Sequence, residues 1–157
     1  MVKYTGAYIA FQEVPDEVSL VLPISNCPYS CHGCHSPWLK QDIGDSLTTD
    51  ELFRLMAKYK DVITCVCFMG DGGDAPFIGE LINFTHLCGY KACLYTGNKD
   101  MELLDWSSDL PDYYKVGPYV EELGGLDHPT TNQRMYRLIP RTDSYEDITS
   151  VFWKEKT

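Results

Sequence analysis

The segment that most constrains the fold is the apolar run VITCVCFMG at residues 62–70, which leads directly into the glycine-rich turn GDGGDAP. A strand that is apolar on both faces must be covered on both faces, as in a parallel sheet flanked by helices. The runs SLVLPIS at residues 19–25 and KACLYTG at residues 91–97 predict two more strands, and YYKVGPY at residues 113–119 predicts a fourth. The chain is therefore expected to fold around a buried sheet.

Two segments between these runs space their apolar residues as amphipathic helices do. The first, SLTTDELFRLMAKYK, has Thr48 in position to act as an N-cap, and Glu51 three residues later suggests a capping box. The second, PFIGELINFTHLCG, places Pro76 in a first turn and Gly89 where a helix would stop. Strands that alternate with helices predict an α/β fold with a mostly parallel sheet.

The rest of the sequence predicts one domain over residues 1–157, with a short helical piece at residues 101–106 and a strand at residues 131–139. No repeat, low-complexity run or linker divides it. Ligands of such folds collect at the carboxyl ends of the strands. Four loops follow predicted strands: a cysteine-rich loop, GDGGDAP, YTG and VGPY. These loops are therefore expected to form one site.

The net charge and the cysteine content reduce the number of plausible function classes. The net charge of -10 disfavours binding to nucleic acid, which depends on Lys and Arg. The sequence contains neither a recognisable leader nor a long apolar span, so we expect no membrane association and a cytoplasmic location. In a reducing compartment, clustered thiols are more often metal ligands or catalytic groups than disulfides.

The cysteine-rich loop CPYSCHGC places Cys27, Cys31 and Cys34 within eight residues, just after the first predicted strand. An iron–sulfur cluster that only carries electrons takes four thiolates, whereas three leave one iron open to a substrate. A zinc site completed by His32 or His35 is an alternative, as are three buried structural thiols. The other cysteines are expected in the core: Cys65, Cys67, Cys88 and Cys93.

CPYSCHGC resembles the signature of the radical S-adenosylmethionine (SAM) enzymes. The residue before the third cysteine is usually aromatic in that superfamily but is Gly33 here, and His35 follows the cysteine. These features resemble the small activating enzymes of anaerobic ribonucleoside-triphosphate reductase, as do FQEVPDEVSL, CVCFMG, LYTG, YYKVGPY and TNQR. The resemblance implies a partial, open βα barrel.

The resemblance also implies a set of site residues. Cys27, Cys31 and Cys34 would hold one 4Fe–4S cluster, and no catalytic side chain is implied beyond the cluster and SAM. Residues matched to the SAM site are Gly72, Gly73, Asp74, Thr96, Asn132 and Arg134, with Gln133 between the last two. Asp71 competes with Asp74 for the role of the acid that meets SAM.

The implied activity is that of a glycyl-radical-enzyme activase. Reductive cleavage of SAM would give a 5′-deoxyadenosyl radical, which abstracts an α-hydrogen from a backbone glycine of anaerobic ribonucleoside-triphosphate reductase. The electron would come from a donor such as flavodoxin or a thioredoxin-type reductant. Two alternatives remain: another small radical SAM enzyme, such as a 7-carboxy-7-deazaguanine synthase, and a zinc-binding non-enzymatic module.

Overall fold

The computed structural model describes residues 1–28, 37–98 and 110–153. Cys31, Cys34 and the predicted helical piece at residues 101–106 lie outside these ranges. The described strands and α-helices, in chain order, are strands β1 (Lys3–Tyr4), β2 (Tyr8–Ala10), β3 (Ser19–Pro23) and β4 (Asp45–Ser46), helix α1 (Thr49–Lys58), strand β5 (Cys65–Met69), helix α2 (Ala75–Leu87), and strands β6 (Lys91–Tyr95), β7 (Tyr113–Val116), β8 (Arg134–Leu138) and β9 (Tyr145–Asp147). Within the same ranges, two short 3-10 helices span Pro37–Lys40 and Thr149–Phe152.

Most of the described strands join one open sheet in the order β2-β3-β5-β6-β7-β8-β9, while β1 and β4 pair with each other. β3, β5, β6 and β7 are parallel neighbours. β2, β8 and β9 are antiparallel to their neighbours. The α/β class is confirmed, but the sheet is parallel only at its centre and antiparallel at both edges.

The two predicted helices form where the sequence places them. Thr48 accepts a hydrogen bond from the backbone N–H of Glu51 at 3.1 Å, which confirms it as the N-cap of α1. The Glu51 carboxylate turns instead toward Arg54, whose Nε lies 2.7 Å away, and also accepts from the Tyr4 hydroxyl. The second half of the capping box is therefore replaced by an ion pair within α1 and a hydrogen bond that joins α1 to β1.

The second helix, α2, is capped by the Asp74 side chain, which accepts from the N–H of Phe77 at 3.3 Å. Pro76 lies in its first turn as predicted. Cys88 is the C-cap, and Gly89 follows with φ of +90°, a conformation that suits glycine. The sequence signals for both ends of α2 are confirmed.

The core has one layer on each face of the sheet. On one face, Leu22, Phe68 and Leu94 are fully buried beneath the apolar sides of α1 and α2. On the other face, Cys67 and Cys93 pack in a cluster with chain segments that include Val14 and Ile148. Burial on both faces explains why the inner residues of β3, β5 and β6 are apolar.

Three of the four cysteines outside the loop lie in the core as predicted, and the fourth, Cys88, packs at its margin. Cys65, Cys67 and Cys93 have no exposed surface, and Cys88 is half-buried at the end of α2. Burial raises the pKa of the Cys65 and Cys93 thiols, so both remain protonated and apolar in character.

Candidate functional site at the carboxyl ends of the parallel strands

The cysteine loop leaves the sheet at the carboxyl end of β3 and is closed at its base. The N–H of Asn26 donates to the carbonyl of Gln41 at 3.1 Å, and the N–H of Cys27 donates to the carbonyl of Leu39 at 2.8 Å. Cys27 is half-buried just inside this closure. The two stems are thus bonded together at the carboxyl end of β3, and Cys27 lies at that junction.

The glycine turn follows β5, the strand next to β3. Gly70, Gly72 and Gly73 have φ of +121°, +63° and +72°, which non-glycine residues adopt only with strain. A Cβ on Gly72 would lie 2.8 Å from Val2 Cγ1 and 3.0 Å from Ile24 Cγ2. Gly72 is therefore required both for its backbone conformation and by its packing.

Gly73 faces a different environment. Within the described ranges, the sole contact that its Cβ would make within 4 Å is with the Asn26 carbonyl oxygen, at 3.9 Å. Since Asn26 directly precedes Cys27, the open side of Gly73 faces the base of the cysteine loop. The structure thus places two of the predicted motifs side by side.

Asp71 ties the glycine turn to the end of β6. Its Oδ1 accepts from the N–H of Gly73 at 2.8 Å, and its Oδ2 accepts from the Thr96 hydroxyl at 2.6 Å. The Thr96 hydroxyl in turn accepts from the N–H of Asn98 at 3.1 Å. Asp71 and Thr96 are each only 2% exposed, so this is an interior connection between two loops.

Asp74 lies at the rim of the same turn. In addition to capping α2, its Oδ2 accepts from the α-amino group of Met1. The hydrogen bond from that amine lowers the Asp74 pKa; burial opposes the shift, and the N–H of Phe77 adds to it. Asp74 is therefore an ionised carboxylate that already meets an ammonium group.

The end of β7 completes the edge. The N–H of Gly117 donates to the Asn98 carbonyl at 2.6 Å, which joins this loop to the one after β6. Asn132 donates through Nδ2 to the Pro118 carbonyl at 3.0 Å, and Gln133 donates through Nε2 to the Gly117 carbonyl at 3.4 Å. Both predicted side chains help to hold the loop after β7.

Arg134 begins β8 opposite Val116, so it lies at the same edge as the ends of the parallel strands. Its Nη1 is 3.5 Å from Asp147 Oδ2 on β9. Four of the predicted SAM-site residues lie in the glycine turn or are linked to it through Asp71, beside the Asn26 carbonyl that precedes Cys27: Gly72, Gly73, Asp74 and Thr96. Asn132 and Arg134 extend the same edge toward β9.

Sequence reasoning did not foresee that Asp71 and Thr96 contact each other, or that Asn98 and Gly117 continue the connection. The signal available was the position of GDGGD and YTG directly after two adjacent strands. That position indicates a shared edge but does not say which acid turns inward.

Two grooves of about 690 and 710 Å³ lie at the opposite, amino edge of the sheet. Both include Glu17 and Lys91. Glu17 is 8% exposed and accepts from Lys91 Nζ at 3.0 Å, from the Tyr113 hydroxyl at 3.1 Å and from the Thr64 hydroxyl at 2.7 Å. These polar groups satisfy one another, so Glu17 serves to join strands.

Comparison with protein-family models, with curated proteins and with solved structures found no match. Among the described residues, no group of three His, Cys, Asp or Glu side chains is placed to hold a metal ion; two of the three candidate cysteine ligands lie at residues outside them. Within the same ranges, no helix has the length and apolar character needed to cross a membrane. The function is therefore argued from the geometry of the edge.

Proposed function

We propose that the protein is an iron–sulfur radical SAM activase that generates a glycyl radical on anaerobic ribonucleoside-triphosphate reductase. The observation that carries the proposal is the convergence of three motifs. The base of the cysteine loop, the glycine turn and Thr96 lie at the carboxyl ends of the adjacent parallel strands β3, β5 and β6.

The residues present suit a cluster with one open iron. Cys27 follows a strand directly, is half-buried and sits at the closed base of its loop. Cys31 and Cys34 follow at the spacing of the superfamily. When bound, the 4Fe–4S cluster supplies the electron that cleaves the sulfonium of SAM and an open coordination position for the methionyl amino and carboxylate groups.

The chain's own residues would bind and orient SAM. Gly73 exposes backbone beside the cysteine loop, where a side chain would otherwise fill the space. Asp74 is an ionised carboxylate at the rim that binds the Met1 ammonium, and the methionyl ammonium of SAM would take that place through a charged hydrogen bond. Arg134 places a guanidinium at the same edge, suited to a carboxylate.

A polypeptide substrate is consistent with the open sheet. In the described residues the strand order runs from β2 to β9 without closing, so the sheet keeps two edges. We propose that this is a partial barrel whose open side admits the glycine loop of the reductase. The electron donor would be a flavodoxin or a thioredoxin-type reductant, and the compartment would be the cytoplasm.

The proposal is tested by anaerobic reconstitution with iron and sulfide, followed by dithionite and SAM. We expect 5′-deoxyadenosine from the wild-type chain and none from Cys31→Ala. Cys88→Ala is the matched control, because Cys88 is a half-buried thiol at the end of α2, outside the cysteine loop. It should retain both iron and activity.

Metal content distinguishes the alternatives. A zinc module would bind zinc, stay colourless and give no nucleoside, and that result would refute the proposal. A chain that holds a full iron–sulfur cluster but forms no 5′-deoxyadenosine, even with a candidate reductase present, would refute it as well. Formation of a glycyl radical on the reductase, detected by electron paramagnetic resonance, would establish the activase role over other small radical SAM enzymes.

A further inference from the structure

We propose that Asp71 and Thr96 are a positioning pair that fixes the glycine turn, and that Asp71 is therefore not the acid that meets SAM. The inference rests on the proposed function and deepens it, since it assigns different roles to the two acids of GDGGD. Asp71 is 2% exposed, whereas a third of the Asp74 side chain is exposed. Asp71 is therefore an interior acid, and Asp74 is the acid at the rim of the site.

Within the described ranges, Asp71 accepts hydrogen bonds from the glycine turn and from the residue after β6. Oδ1 holds the N–H of Gly73 and so fixes the second left-handed residue of the turn. Oδ2 takes the hydroxyl proton of Thr96, because the oxygen of that hydroxyl already accepts from the N–H of Asn98. The chain of donors therefore has one direction: Asn98 to Thr96, and Thr96 to Asp71.

Thr96 is itself firmly placed by the sheet. Its N–H donates to the Lys115 carbonyl at 2.9 Å, which extends the pairing of β6 with β7 by one residue. On the other side, the N–H of Gly70 donates to the Tyr95 carbonyl at 2.9 Å. The glycine turn is consequently oriented by the ends of two strands, β5 and β6, and the Asp71 carboxylate is the side chain that connects them.

Loss of this connection would let two consecutive glycines relax, because glycine has the largest conformational freedom of any residue. The backbone at Gly73 would then no longer be held toward the cysteine loop. We expect weaker SAM binding without loss of the cluster, since the Cys27 backbone is held by the separate bond to Leu39.

The test uses the reconstituted full chain with its cluster oxidised, so that radiolabelled SAM binds without being cleaved. Equilibrium dialysis gives Kd, iron analysis gives cluster content, and urea unfolding gives stability. Thr96→Val removes the hydroxyl at nearly constant volume, and Thr96→Ser restores it. Thr85→Val is the control, because Thr85 is also fully buried and donates its hydroxyl to the Leu81 carbonyl within α2.

We expect Thr96→Val to raise the Kd for SAM at least about tenfold, equivalent to about 1.4 kcal/mol, with iron content unchanged. Thr96→Ser should return Kd to within about twofold of the wild type, since it restores the hydrogen bond. Thr85→Val should lower stability and leave Kd unchanged, which separates positioning from destabilisation.

Asp71→Asn provides a second variant of nearly equal volume, in case Thr96→Val does not fold. Its amide replaces one of the two carboxylate oxygens with an NH2 group, so the N–H of Gly73 and the Thr96 hydroxyl can no longer both donate to it, and the Kd for SAM should rise here too. The inference is overturned if either variant folds, holds its cluster and binds SAM as the wild type does. If the wild-type cluster protein binds no SAM, the proposed function fails and the pair has no ligand to position.

Discussion

Gly72 and Gly73 are adjacent, both left-handed, and predicted to respond very differently to the same substitution. Gly72→Ala introduces a Cβ that lies 2.8 Å from Val2 Cγ1 and 3.0 Å from Ile24 Cγ2, both closer than ordinary contact. Gly73→Ala introduces a Cβ whose nearest neighbour in the described ranges is the Asn26 carbonyl oxygen at 3.9 Å. Comparing the two variants therefore separates the cost of a packing clash from the cost of backbone strain.

The expected magnitudes follow from those distances. A left-handed conformation costs an L-residue roughly 1–2 kcal/mol, and both variants carry this penalty. Forcing a methyl into a filled site costs roughly 1–3 kcal/mol more, and only Gly72→Ala carries that penalty. We expect a free energy of unfolding lower by roughly 2–5 kcal/mol for Gly72→Ala and by roughly 1–2 kcal/mol for Gly73→Ala.

The assay is urea-induced unfolding followed by far-ultraviolet circular dichroism, with variants prepared identically. The slope of free energy against urea should stay constant, so the midpoint reports stability. Equal destabilisation by the two substitutions would show that Val2 and Ile24 do not pack against Gly72 as described, and the reasoning would be refuted.

The same pair also separates stability from binding. Because the open side of Gly73 faces the base of the cysteine loop, its added methyl enters the space that we assign to SAM. Gly73→Ala should therefore raise the Kd for SAM at least about tenfold while remaining the more stable variant. Unchanged binding in Gly73→Ala would remove that residue from the site.

Three further results are expected. Thr48→Ala removes the N-cap of α1 and should lower the free energy of unfolding by about 1 kcal/mol in urea titrations; no loss would mean that the cap bond contributes nothing. Hydrogen bonds from Arg54 first and from the Tyr4 hydroxyl next lower the Glu51 pKa from 4.5 to about 2. The ionised Glu51 carboxylate therefore stabilises the fold fully above pH 4.5, and this stabilisation is lost as the pH falls toward 2. Glu51→Gln should show a smaller loss over that interval, and an unchanged pH profile would contradict the assignment. Glu17 is 6% exposed at its side chain and accepts from three donors, which Glu17→Gln would leave poorly matched. Thermal unfolding should therefore show a larger loss of stability for Glu17→Gln than for Lys91→Gln, because the Lys91 side chain is 55% exposed.

The central strands were predictable because they are buried on both faces. β5 reads CVCFM and β6 reads KACLY, and in each the inner residues have no exposed surface. A continuous apolar run leaves few other structures available to five residues at the centre of a fold. The helices were predictable from their amphipathic spacing and end signals, and their apolar residues cover one face of this sheet.

The edge strands were not predictable in the same way. β2 is three residues long and includes Tyr8, which is 44% exposed, and β9 reads YED with its acids exposed. Such strands form because a neighbour offers unpaired backbone groups, a property of the assembled sheet. The direction of β8 has a related cause: residues 117–133 contain no helix to carry the chain back, so β8 returns antiparallel to β7.

The roles of the two acids in the glycine turn show where sequence reasoning stops. Asp71 turns inward because Met69 pairs with Tyr95 in the β5–β6 register, which brings Thr96 beside the turn. A slip of two residues between these strands would keep every side chain on its own face of the sheet. Since the buried residues of both strands are apolar, the pattern of residues does not exclude that slip, and the partner of Thr96 cannot be read from it. The register is decided by packing along the whole sheet, and with it the choice between Asp71 and Asp74.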